Sequence, residues 1–479
     1  MKSARFAASA AVILVTATLS ANQSRPALAA NVPGTSCSVF PAGNIWNTDI
    51  SGLPVHSQSA AWLASTGATT GRLLHPDFGG PPYGIPFNVV DNTHATTSFT
   101  FQYASESDPG PYPYGSDLLI EQGSDAHLLT VNKSTCKLYE TFATNYAGPS
   151  TAGSGAVFDL GSNLLRPANW TSADAAGLPI FPGLVRLDEV QAGLIAHAIR
   201  FTVQQSDKSY LWPARHQAGS ANDPNLPPMG ARFRLKPSYD ISAFGHEAQV
   251  VLTAFKHYGL IVADNGSNWY FTGTEDAGWN SGPYPQMIAD LKQVPAGAFE
   301  AVDESALMID PNSAVAGTVP AAPTAPSATP GSGGAQVSWT APSNGGQPIQ
   351  NYTVNGSPSG SALVSGSATT AVVYGLTNGV SYTFTVTASN VIGAGVASPP
   401  SNPVVPDARL VAQNQAPPAS SRSAVSQSTA GTGGSRIAVA PPVAPPAASG
   451  APTGGPPPPA ALSPQWIWPL DRPRLFIRL

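Results

Sequence analysis

Between residues 31 and 319 the apolar residues come in short runs, each bounded by Gly, Pro, Asn or Asp: FNVV, TSFTFQY, SDLLIEQ, HLLTV, KLYETFAT, GAVFDL, HAIRFTV, ARFRLK, GLIVADN and NWYFTG. Runs this short, punctuated by turn-forming residues, predict strands and leave little room for helix. One window differs. In HEAQVVLTAFKHYG, Val250, Val251, Ala254, Phe255 and Tyr258 recur at helical spacing, and Gly259 stands where a left-handed cap would end the helix. PQMIADLKQV and DEVQAGLI are shorter windows of the same kind. The expected class is mainly β with a few helices, a jelly-roll-like or related two-layer β-rich domain over residues 31–315.

The ends of the chain have a different character. Lys2 and Arg5, the apolar stretch AASAAVILVTATL and the small residues Ala27, Ala29 and Ala30 have the layout of a cleaved signal peptide over 1–30, too short in its apolar part for a membrane span. The expected product is secreted and extracellular, with no transmembrane span. Cys37 and Cys136 both follow that leader, and two cysteines in an exported chain predict a disulfide. The alternative is a reactive thiol, for which Lys133 and Lys137 beside Cys136 would supply the basic setting. Residues 408–462 are Ala, Pro, Ser and Gly in blocks, a composition that predicts disorder. The last stretch, 463–479, mixes Trp466, Ile467, Trp468 and Phe476 with Arg472, Arg474 and Arg478. An uninformative or frame-shifted tail is the expected reading, and an interfacial segment is the alternative.

Charge divides the chain again. Residues 31–319 hold 13 Lys and Arg against 25 Asp and Glu, a net of −12, whereas 320–406 hold no charged residue. Phosphate binding needs a basic face, so nucleic acid is excluded as a partner, and a neutral polymer fits better than an anionic one. After a linker at 316–322, AQVSWTAPSNGGQPIQNYTVNG and VVYGLTNGVSYTFTVTASNVIGAGVASPPSNPV resemble a fibronectin type III module over about 320–406, bounded as 323–407. Trp339 and Tyr352 lie on early and middle strands, Leu376 precedes Tyr382, and Tyr382, Phe384 and Val386 alternate along a late strand. The resemblance implies a β-sandwich that serves as a spacer or weak binding platform. The segments GSDLLIEQGSDAHLLTVNKSTCKLYE, YLWPARHQAG and GLIVADNGSNWYFTG look like a family of exported bacterial proteins over about 37–304, and that resemblance carries no catalytic role to any residue.

Chemistry therefore has to come from the residues. In GSDAHLLTV, Asp125 and His127 share a face if the segment is a strand, with Glu121 joining them if the strand reaches back. A hydrogen-bonded pair within the fold fits the same letters, and without HExxH or similar spacing no metal site and no cofactor is expected. Paired carboxylates are the requirement for glycan cleavage, and Glu121, Asp125, Asp159, Asp188, Glu189 and Asp264 are the candidates. In LWPARH, Trp212 offers a stacking face, Arg215 a carboxylate fork and His216 a proton carrier, although an internal pair of Arg215 with Asp188 explains the segment too. ADNGSNWYFTGTEDAGWN gathers Asp264, Asn265, Asn268, Trp269, Tyr270 and Trp279, the amides and flat rings that suit sugars, or else a hairpin with core aromatics. Neither a Gly-x-Ser-x-Gly elbow nor a phosphate-binding Gly-x-x-x-x-Gly-Lys loop occurs.

The expectation is an exported carbohydrate-active protein whose partner is a polysaccharide or cell-wall glycan, possible chemistries being glycoside hydrolysis or polysaccharide elimination. Its catalytic candidates are Glu121, Asp125, His127, Glu189 and His216; Trp212, Arg215, Asp264, Asn265 and Trp269 are the binding candidates. The alternative is a non-catalytic extracellular protein that binds glycan or protein.

Overall fold

The computed structural model describes residues 31–145 and 149–410. The expected leader and nearly all of the two tail segments lie outside the described residues. In chain order the large domain contains α1 (Ser59–Ser65), β1 (His75–Asp77), β2 (Phe87–Val90), β3 (Thr96–Thr97), β4 (Thr100–Phe101), β5 (Tyr112–Pro113), β6 (Leu128–Asn132) and β7 (Lys137–Phe142). It continues with β8 (Thr151–Ala152), β9 (Ser154–Asp159), α2 (Leu187–Ala192), β10 (Ile199–Val203), β11 (Arg232–Leu235), α3 (His246–His257), β12 (Leu260–Asn265), β13 (Tyr270–Thr272), α4 (Tyr284–Leu291) and β14 (Phe299–Val302). The class is mainly β with a few helices. Two mixed sheets carry it, a six-stranded one in the order β1-β13-β10-β12-β11-β14 and a four-stranded one in the order β2-β6-β7-β9. The parallel pairs β1–β13, β10–β12 and β2–β6 set it apart from the antiparallel ladder of a jelly roll.

Alternation along the central strands gives the six-stranded sheet two unlike faces. On β10, Ile199, Phe201 and Val203 point one way and Arg200 and Thr202 the other. The apolar face packs Phe201, Phe233, Phe271 and Trp269 against Phe255 of α3 and Phe299, with Phe255 and Phe271 ring centres 5.2 Å apart. Each such ring buried contributes on the order of 2–3 kcal/mol. Helix α3 forms because Val250, Val251, Ala254 and Phe255 make one continuous buried stripe, and Gly259, at φ 69°, ends it. The other face is polar yet largely covered, and each of its arginines has a partner. Arg232 bonds Glu304 at 3.0 Å, Arg234 bonds Glu300 at 2.9 Å, and Arg200 bonds Asp174 at 2.7 and 2.8 Å.

The N-terminal segment lies over part of that polar face, where the carbonyls of Ile50, Ser51 and Leu53 accept from Arg234. A disulfide joins Cys37 to Cys136, just before β7, with Cα atoms 5.3 Å apart. One hydrophobic core takes in Leu129, Val131 and Leu138 of the small sheet together with Ile199, Phe201 and Val262 of the large one. Among the described residues no helix is long and apolar enough to cross a membrane.

The second core belongs to residues beyond 320. Strands β15 (Ser327–Gly331), β16 (Gly334–Ser338) and β19 (Thr370–Tyr374) form one sheet; β17 (Asn351–Ser357), β18 (Ser361–Ser365) and β20 (Thr383–Ser389) form the other. Between them lie Trp339, Tyr352, Val354, Leu376, Tyr382, Phe384 and Val386, and the Tyr382 hydroxyl accepts the Thr377 N–H at 3.1 Å. That hydroxyl contact is the tyrosine corner of an immunoglobulin-like sandwich. Gln347 donates to the carbonyls of Ala306 at 2.8 Å and Met308 at 3.3 Å in the large domain, and Asn390 donates to the linker carbonyl of Thr318 at 2.7 Å.

Candidate functional site

Register sets the site. Opposite pairs in neighbouring strands put their side chains on the same face. His75 lies opposite Tyr270, Tyr270 opposite Thr202, and Thr202 opposite Asp264, which makes one row across β1, β13, β10 and β12. The shift between Phe201 and Thr202 is what brings Asp264 into that row. All four residues are half-exposed, while Arg200 and Thr272 beside them are buried, with Arg200 donating to the Thr272 hydroxyl at 2.8 Å.

At the Asp264 end, charged groups from other segments converge. The loop 121–127 closes on itself through the Glu121 N–H to the His127 carbonyl, and the Glu121 carboxylate meets His127 Nδ1 at 2.5 Å. His127 Nε2 faces the Ala173 carbonyl at 3.2 Å. Both ring nitrogens thus face acceptors alone, an arrangement that fits the imidazolium. Burial works against its charge, but the Glu121 hydrogen bond and the charges of Glu121 and Asp125 prevail and raise its pKa. Burial likewise opposes the Glu121 charge, and His127 with Arg200 overcomes it, leaving that carboxyl below its ordinary range.

Asp264 behaves in the opposite way. Burial and the neighbouring Asp174 charge push it up to about 7, and Arg200, already held by Asp174, compensates only in part. Glu140 is also pushed up to about 7, by burial first, although the backbone N–H groups of Ile180 and Phe181 donate to it at 2.9–3.0 Å. Glu275 is raised by burial and by Glu121. The arrangement holds an ionised carboxylate and one that exchanges its proton around neutral pH near a shared cation, the division of labour that acid–base catalysis requires.

The other sequence candidates sit elsewhere or serve the fold. Asp125 is on the loop: β6 begins only at Leu128, and Ala126 at φ 43° breaks the alternation that would have put Asp125 and His127 on one strand face. Asp125 acts on His127 through its charge. Glu189, on α2, is buried in a separate network with Arg186 at 2.7 Å and His197 at 3.0 Å. His216 bonds the Ala175 carbonyl at 2.8 Å and lies 3.7 Å from Glu106. Arg215 donates to the carbonyls of Arg166 and Pro311 and to Asn312, Trp212 donates to the Ser313 carbonyl at 2.9 Å, and LWPARH is thereby a structural clamp. Asp188 pairs with Arg186 and not with Arg215. Asn265 donates to the Ala218 carbonyl at 2.8 Å, and Trp269 is fully buried with its indole N–H on the Thr66 carbonyl. Of the aromatic set, Tyr270 lines an open cleft.

Asp174, Arg200, Glu140 and Glu275 were not among the sequence candidates. The readable sign was Arg200, a charge in the middle of the apolar run HAIRFTV. Among the described residues no group of three His, Cys, Asp or Glu stands together as a metal ion would need.

Residues 321–405 match the family model described as Fibronectin type III domain, and they form that module. Solved structures similar to this chain include domains A168–A170 of titin, at 30% identity over 19% of this chain and 33% of that one, TM-score 0.18. The chicken CNTN1 FN1–FN3 domains match at 21% identity over 18% of this chain and 33% of that one, TM-score 0.18. The twitchin kinase region from C. elegans matches at 23% identity over 19% and 17%, TM-score 0.18. This chain thus spans a third or less of the length of each of these three. No curated protein matches it.

Proposed function

We propose that residues 31–315 form an exported catalytic domain that acts on polysaccharide by general acid–base chemistry, with the fibronectin type III module as its spacer. Asp264 is the acid, and Glu121 is the base or the charge that stabilises a cationic transition state. His127 and Arg200 position them. The observation that carries this reading is the opposite displacement of the two carboxyls within one cluster, Asp264 up to about 7 and Glu121 below its usual range. Export is supported by the leader-like residues 1–30 and by the Cys37–Cys136 disulfide.

The test incubates the full chain with plant, fungal and bacterial wall polysaccharides and reads new reducing ends together with retention. Cleavage is expected, with Asp264→Asn and Glu121→Gln each reducing it by about a hundredfold or more while the melting temperature holds. Unimpaired cleavage in both variants, or no product from any polymer, overturns the catalytic reading. A second reading, glycan binding without cleavage, draws on the aromatic pair His75 and Tyr270 beside the open cleft. Retention with no product selects it.

A further inference from the structure

The cleft at the far end of the row from Asp264 has a volume of about 530 Å³ and is lined by Arg72, His75, Tyr270 and Lys292 with the backbone around Thr70–Leu74. That size is in the range of small-ligand sites. Its charge is opposite to that of the domain around it, where 25 acidic residues face 13 basic ones. The exposed side chains of Arg72 and Lys292 make no ion pair and no side-chain hydrogen bond among the described residues. Every other arginine of the large domain has a partner for its guanidinium, so Arg72 is the exception among the described residues, and Lys292 stands on the same cleft. His75 adds no charge, because burial and the nearby Lys292 lower its pKa. Its ring stacks on Tyr270 at 3.9 Å with the planes 10° apart, giving the cleft a flat apolar wall.

We infer that this cleft is a subsite for an acidic sugar, the carboxylate lying between Arg72 and Lys292 and the sugar ring against Tyr270. A carboxylate on a flat ring with an apolar face is the chemistry that two free cations and an aromatic pair complement together. His75 and Tyr270 of the cleft are also the first two residues of the row that continues through Thr202 to Asp264. At about 4.8 Å per strand that row is roughly 14 Å long, so an oligosaccharide seated at Arg72 runs along it toward Asp264. The inference rests on the reading of the domain as one that acts on glycan, and it narrows the substrate to chains that carry uronic acid.

The experiment measures binding by calorimetry on the full chain with Asp264→Asn, so that turnover does not interfere. Its probes are an oligogalacturonate, the same oligomer with its carboxyls reduced to alcohols, and inorganic sulfate. Expected are binding of the oligogalacturonate, at least tenfold weaker binding of the reduced oligomer, and at least tenfold loss in the double variant Arg72→Gln, Lys292→Gln. Tyr270→Ala should weaken oligogalacturonate and leave sulfate unchanged. Equal binding of the reduced oligomer, no effect of the double variant, sulfate binding as tight as oligogalacturonate, or no binding at all overturns the inference. Oligogalacturonate binding with no cleavage by the unmodified chain removes the catalytic reading alone, and cleavage of neutral glycan without oligogalacturonate binding removes this subsite alone.

Discussion

Glu140 and Glu121 are two glutamates of one cluster with opposite fates, and the difference comes from their partners. Glu121 meets an imidazolium, whereas Glu140 is fully buried and receives only neutral backbone N–H groups. Hydrogen bonds from neutral donors offset the cost of burying a charge only in part, and Glu140 rises to about 7. Between the ordinary value of 4.5 and about 7 the folded chain therefore holds a proton that the unfolded chain has released. Folded stability must fall as pH rises through that window. Glu140→Gln should flatten part of the fall, by at most about 3 kcal/mol, because Glu304 also sits at about 7 and keeps the same sign. Urea unfolding at pH 5 and pH 8 checks this. An unchanged difference between the two pH values in the variant would show that Glu140 does not titrate in that range.

Elements were legible where a local pattern was long enough to govern its own backbone. Helix α3 and the alternating strands of the module, with Tyr352, Val354, Phe384 and Val386 inward, follow from periodicity alone. The short helix α1 was not foreseen, since SAAWLAS has too few turns to establish a period, and its Trp62 is held by tertiary contact with the Pro224 carbonyl. The Asp125 and His127 alternation failed for a related reason. Two residues do not make a strand, and the chain there turns through Ala126 before β6 begins. Glu121 and His127 did come together, through loop closure and not through pleat. The row from His75 to Asp264 was out of reach, because it depends on a register shift in a parallel pair whose strands are about sixty residues apart. No local pattern encodes such a pairing.

At the scale of the whole molecule, the N-terminal segment is both structural cover and a tether. Val32, Val39, Phe40, Ile45 and Trp46 are buried in the main core, and the disulfide holds this segment to the turn before β7 across a separation of 99 residues. Closing so long a loop restricts the unfolded chain strongly. The paired change Cys37→Ser, Cys136→Ser should lower unfolding free energy by about 2–5 kcal/mol, read by urea denaturation, while the module, whose core lies wholly beyond residue 327, keeps its own fold. An unchanged midpoint would mean that burial of the segment suffices without the bridge. Elsewhere on the polar face of the large sheet, the charges of Asp174 and Arg200 act in opposite directions on Asp264. The Asp264 carboxyl is the point on which the account turns, so the decisive measurement is its own titration, followed by the carbon-13 shift of labelled aspartate and assigned with Asp264→Asn. A midpoint near 7 is the predicted result. A midpoint near the ordinary value of 3.8 would mean that Asp264 carries no proton at neutral pH, and the proposed acid would be lost.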